Sequence, residues 1–222
     1  MGTFGKSAFD GAVGNALDLP GVSDIRWMSG PRAVRPAEFS VGSFPALRTP
    51  REPGCESERG GLVDALLSRE RYGSILEIGC AEGELGHVLL ERCGAYVGID
   101  ADDGALARAR CSIIAGSPMR FLPLRLASVL PAGEHELVIL SDVLSRFPPS
   151  LVRDVARRLA AHAPCREIVV VGDREEHTLG VDPALAAFAA ELGPDFVGHE
   201  AALRRHYRID VLLRRPEGVP RI

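Results

Sequence analysis

The chain is poor in every feature that would mark a membrane protein, a disulfide-framed domain or a nucleic-acid binder. Across 222 residues no apolar run approaches the roughly 20 needed to span a bilayer. The opening MGTFGKSAFDGAVGNALDLPG lacks the charged-then-apolar order of a secretory leader. Its MG start is only superficially that of a lipidation site, because the hydroxyl falls at the wrong position. The five cysteines (Cys55, Cys80, Cys93, Cys111 and Cys165) are odd in number and never spaced as CxxC, which favours reduced thiols over a disulfide frame or a zinc site. No metal site is expected. Formal net charge is −4, and the arginines are scattered among acids, so no global basic field invites a nucleic-acid backbone. Aromatic side chains are few and form no stripe with basic ones. The expectation is a soluble, cytoplasmic protein, monomeric or homodimeric, with no membrane and no nucleic-acid partner.

What is present begins with enough apolar residues, 46%, to build an ordinary core. Residues 1–55 read as an irregular arm: up to Gly54 they hold six prolines and eight glycines without periodicity. Trp27, Phe39 and Phe44 are its candidate docking points, and the arm is a candidate lid. Patterning starts at Glu56 and runs to about residue 215, with 216–222 as a tail. Helices are expected at 56–68, 84–94, 103–114, 151–163 (capped by Ser150) and 183–192. Strands are expected at 74–79, 95–100, 119–127, 136–141 and 166–173, and two more in 195–205 and 206–215. Alternating strands and helices predict an α/β, Rossmann-like, doubly wound seven-stranded sheet, mostly parallel. The last two strands lack an intervening helix and should close the sheet as an antiparallel hairpin.

The stretch EIGCAEGELG (77–86) ends the first strand and opens a helix, the place where open α/β sheets bind ligands. It is either a tight turn needing small residues or a cofactor loop. Gly79, Gly83 and Gly86 do not follow the dinucleotide spacing GxGxxG, since Ala81 takes the middle position. Asp100 ends the second strand, where a carboxylate can accept hydrogen bonds from both hydroxyls of a ribose. Loop, strand and terminal Asp in that order favour a cofactor site.

ExGxAxG, with Glu77 two residues before Gly79, resembles the first motif of class I S-adenosylmethionine-dependent methyltransferases. Three longer stretches extend the likeness to NodS-like methyltransferases: RYGSILEIGCAEGELGHVLLERCGAYVGIDADDGALARAR, ELVILSDVLSRFPPSLVRDVARRLA and HYRIDVLLRR. The likeness covers about residues 56–215. The resemblance implies S-adenosylmethionine as cofactor and a small-molecule acceptor, sugar-like, methylated at N or O. It implies cofactor contacts from Glu77, Gly79, Cys80, Ala81, Gly83, Asp100 and Ala101. An Asp that often follows the third strand to bind adenine is missing, so Ala127 or Ser128 must serve. Cys55 replaces an aromatic residue. Arg59 matches a basic residue and is either a clamp for the cofactor carboxylate or a solvent-facing charge. The usual glycine pair before the fifth strand is replaced by APCRE.

Two residues are candidates for the chemistry. Asp142 ends the fourth strand, where the family generally places an acid; it either orients the acceptor, with proton removal a further role, or caps the turn. His177, in GDREEH after the fifth strand, is a candidate base or an exposed loop histidine. Asp173 lies on the same rim, and Glu175 and Glu176 make it acidic. His206 and Tyr207 either line an acceptor pocket or pack the sheet edge. Cys80 reads as a small residue in a turn, not a nucleophile. Two other classes stay open: a non-catalytic cofactor-binding protein, and a nucleic-acid methyltransferase. The acidic balance and the absence of an (N/D)PP(Y/F) motif count against the latter.

Overall fold

A computed structural model describes residues 55–124, 133–173, 181–204 and 206–216. The arm before Cys55, with Trp27, Phe39 and Phe44, lies outside the described residues, as do Ala127, Ser128, Glu175, Glu176 and His177. Seven strands form one sheet: β1 (Tyr72–Ile78), β2 (Cys93–Asp100), β3 (Met119–Pro123), β4 (Leu137–Ser141), β5 (Glu167–Asp173), β6 (Phe196–Leu203) and β7 (Tyr207–Arg214). Their order is β3-β2-β1-β4-β5-β7-β6. The first five strands are parallel, while β7 runs antiparallel to both β5 and β6. The expected architecture and its closing hairpin are therefore present. The order reverses between β1 and β4, which opens a crevice at their carboxyl ends.

Alternation along the strands sorts side chains onto two buried faces. Leu76, Ile78, Val138, Leu140, Ile168 and Val170 pack beneath α4 (Pro149–Ala161) and α5 (Val181–Leu192). Ile75, Tyr96, Leu137, Ile139, Val169 and Val171 form the opposite face. That face is covered by α1 (Cys55–Leu66), the short α2 (Glu84–Val88) and α3 (Asp103–Cys111). Among the described residues no helix is long and apolar enough to cross a membrane.

Three local expectations need correction. The helix expected at 84–94 ends at Val88, a single 3-10 turn follows at Leu90–Arg92, and Cys93 and Gly94 already belong to β2. Gly94 is a strand residue rather than a helix stop: a Cβ there would stand 3.0 Å from the Gly73 carbonyl oxygen. The cap of α4 is Pro148, not Ser150, because Pro149 supplies a preset φ at the first helical position. The third strand stops at Pro123, which has no N–H to continue a ladder.

Candidate active site

Three neighbouring strand ends make the floor of a cleft. Glu77 of β1, Ser141 of β4 and Val171 of β5 lie on the face occupied further down by Ile75, Ile139 and Val169. Arg59, Gly60 and Val63 of α1 form one wall, and Gly79 to Glu82 with Glu84 and Leu85 form the other. The cleft is narrow and opens to solvent. Helix α1 is fastened above it by a bond from the Tyr207 hydroxyl to Glu58 Oε1, 3.1 Å.

The glycine loop is shaped by close approach. Gly79 has φ of 89°, and a Cβ there would lie 2.3 Å from the Ser141 carbonyl oxygen, so only glycine lets the ends of β1 and β4 meet. Ala81 also has a left-handed backbone, φ 46°, which is unfavourable for a residue with a Cβ. Its N–H donates to Asp100 Oδ2 at 2.7 Å, and the Asp102 N–H donates to Asp100 Oδ1 at 2.9 Å. Asp100 thereby ties the loop after β1 to the loop after β2. Its carboxylate has lone pairs left for further donors, such as sugar hydroxyls.

Arg59 is only 8% exposed, and its Nη1 donates to Asp142 Oδ2 at 2.5 Å. It is thus not the solvent-facing helix charge that its sequence position allowed. Asp142 has φ of 55°, and its N–H bonds the Val171 carbonyl at 2.8 Å, which turns the chain away from β4. Glu77 is buried and accepts a hydrogen bond from the Tyr96 hydroxyl. Burial pushes the Glu77 carboxyl up to about 7; the Tyr96 bond, the Arg59 charge and a Ser141 bond oppose the rise, while Asp100 adds to it. Burial, followed by the nearby Glu77 charge, raises the Tyr96 phenol well above its usual range, so it remains a donor.

Arg59, Glu77, Gly79, Cys80 and Ala81 therefore gather around one cleft, with Asp100 bonded to its loop and Asp142 to Arg59. Gly83 is placed differently. It precedes α2 with φ of 80°, and a Cβ there would strike the Phe121 ring at 2.4 Å, so the core demands this glycine. Ala101 follows β2 in a half-buried bend. Asp173 ends β5 in register with Tyr207. Tyr207 is buried and holds α1, and His206 is exposed. Sequence reasoning missed Ser141, Tyr96 and Val171. Ser141 was within reach of it, as the residue before Asp142 at a strand end. Tyr96 carries no local signal, because it reads as one more core residue of β2.

No family model and no curated protein matches the sequence. Solved structures do match the fold. A candidate methyltransferase from Pseudomonas syringae is 27% identical, over 72% of this chain and 98% of that one, with a TM-score of 0.58. The N-methyltransferase NodS from Bradyrhizobium japonicum WM9, in complex with S-adenosylhomocysteine, is 15% identical over 78% and 96%, with a TM-score of 0.61. Magnesium protoporphyrin IX methyltransferase from Synechocystis PCC 6803, with bound S-adenosylmethionine, is 17% identical over 72% and 78%, with a TM-score of 0.55. The described chain has the Rossmann-like fold of S-adenosylmethionine-dependent methyltransferases.

Proposed function

We propose that the protein is an S-adenosylmethionine-dependent methyltransferase of the NodS-like kind, acting on nitrogen or oxygen of a small amino sugar or glycoside. One observation carries the cofactor reading: a cation, Arg59, and a buried carboxyl, Glu77, line the same cleft beside the glycine loop. That pair matches the carboxylate and ammonium of an amino-acid end, and Asp100, one loop away, matches a ribose diol. Bound there, the cofactor supplies an electrophilic methyl group. The chain itself has to hold donor and acceptor in line and keep water out.

Asp142 is the residue we assign to the acceptor. It directly follows β4, next to Ser141 of the cleft floor, and its carboxylate accepts from Arg59 of the cleft wall, which supports a role in orienting an amine or hydroxyl. Orientation is the role this geometry favours. Ala127 and Ser128 remain our candidates for holding the adenine, and His177 our second candidate base. The test is calorimetry with S-adenosylhomocysteine, followed by transfer of labelled methyl groups to a panel of amino sugars and glycosides. Binding and transfer support the reading, binding without transfer to any acceptor favours a cofactor-binding protein, and no binding rejects it.

A further inference from the structure

We propose that Tyr96, through its hydrogen bond to Glu77, sets the pH range in which the cleft takes up the ammonium end of its cofactor. The inference rests on the cofactor reading above. Tyr96 is fully buried on β2, two residues before Gly98, which stands in register with Glu77. Its ring packs edge-on against Phe121, with centroids 5.9 Å apart, and fills the space next to Gly86. Packing alone would be served by phenylalanine. The hydroxyl is aimed instead at a carboxyl group that forms the cleft floor.

Among the described residues, several polar and charged neighbours of Glu77 bear on the same equilibrium. Arg59 comes from α1 and is itself shared with Asp142; Asp100 stands at the end of β2, and Ser141 at the end of β4. Glu82 and Glu84 line the cleft, and Cys80 and Cys93 lie close enough to act on Tyr96. Within this set, Tyr96 donates to the Glu77 carboxylate and favours its charged form, against the cost of burial. A charged Glu77 attracts an ammonium group, and a protonated one does not. Cofactor affinity should therefore rise with pH through the Glu77 transition, near 7, and binding should release protons.

Tyr96→Phe keeps the ring and removes the donor. The experiment follows the Glu77 carboxyl by carbon NMR in the ligand-free protein, and S-adenosylhomocysteine binding by calorimetry from about pH 5.5 to 8.5. Tyr96→Phe should raise both midpoints by about one pH unit and leave the high-pH affinity unchanged. The ligand's own amino group titrates alike in both proteins, so the displacement belongs to the protein. Glu77→Gln, which has no carboxyl to titrate, should flatten the binding profile, and it tests the inference even where Tyr96→Phe folds poorly. Unmoved midpoints in Tyr96→Phe, or a Glu77→Gln profile as steep as wild type, overturn the inference. Wild-type protein that binds with one affinity at every pH overturns this inference alone, whereas wild type that binds no S-adenosylhomocysteine overturns the cofactor reading itself.

Discussion

The Arg59 guanidinium stands 2.5 Å from the Asp142 carboxylate, joining the first helix to the end of the fourth strand beside the cleft. Both side chains are about nine-tenths buried, so neither charge can be removed without leaving its partner poorly compensated. Arg59→Ala should weaken S-adenosylhomocysteine binding by about tenfold or more, the scale of a charge-assisted hydrogen bond. It should leave 5′-methylthioadenosine, which has no amino-acid end, almost unaffected. Calorimetry with the two ligands separates a local clamp from general damage to the site.

Asp142→Asn keeps the shape and one acceptor oxygen but cannot take a proton. Where Asp142 removes a proton from the acceptor, kcat should fall by roughly 10²-fold, with little change in cofactor affinity. A loss well below tenfold would leave orientation as its role. Steady-state kinetics on the best acceptor, with a parallel calorimetric Kd, makes the distinction.

Asp100→Ala removes the acceptor of two backbone N–H groups, those of Ala81 and Asp102. The left-handed Ala81 then loses its tether, so the variant should be less stable by about 1–2 kcal/mol in thermal melts. S-adenosylhomocysteine affinity should drop by at least ~1.5 kcal/mol, because the ribose acceptor goes with it.

Gly79→Ala places a Cβ against the Ser141 carbonyl in a backbone that already has positive φ. Neither the β4 backbone nor the loop can yield cheaply, and the cost should reach about 3 kcal/mol. Denaturant melts of the variant check the figure; a loss below 1 kcal/mol would show that the strand ends can separate.

Stability itself should depend on the ionisation of Glu77. Its carboxyl is raised from 4.5 to about 7 in the folded chain, so folding favours the protonated form. Its contribution is fully present below about 4.5 and is lost as pH rises through about 7. Glu77→Gln should show a smaller fall in melting temperature between those limits than wild type does.

The alternation of apolar strands and amphipathic helices was enough to read the seven-strand α/β plan, because each buried face writes its own period into the chain. The glycine loop and Asp100 were legible for a similar reason: turn chemistry and strand ends are local. Helix lengths were not. Leu89 to Arg92 look helical in isolation, but pairing of Cys93 with Tyr72 draws the chain into β2. Nor could spacing tell that Gly83 is demanded by Phe121, a residue 38 positions away on β3. Whether Arg59 faced water or the cleft was open until α1 was seen to lie across the end of β4. The link from Tyr96 to Glu77 was hidden altogether. A tyrosine in a small, apolar strand is indistinguishable from core until parallel pairing of β1 and β2 brings its hydroxyl to a buried carboxyl. Sequence periodicity settles which faces are buried, since that depends only on neighbours along the chain. Which charges meet depends on the order and register of strands distant in sequence, and only the tertiary structure decides it.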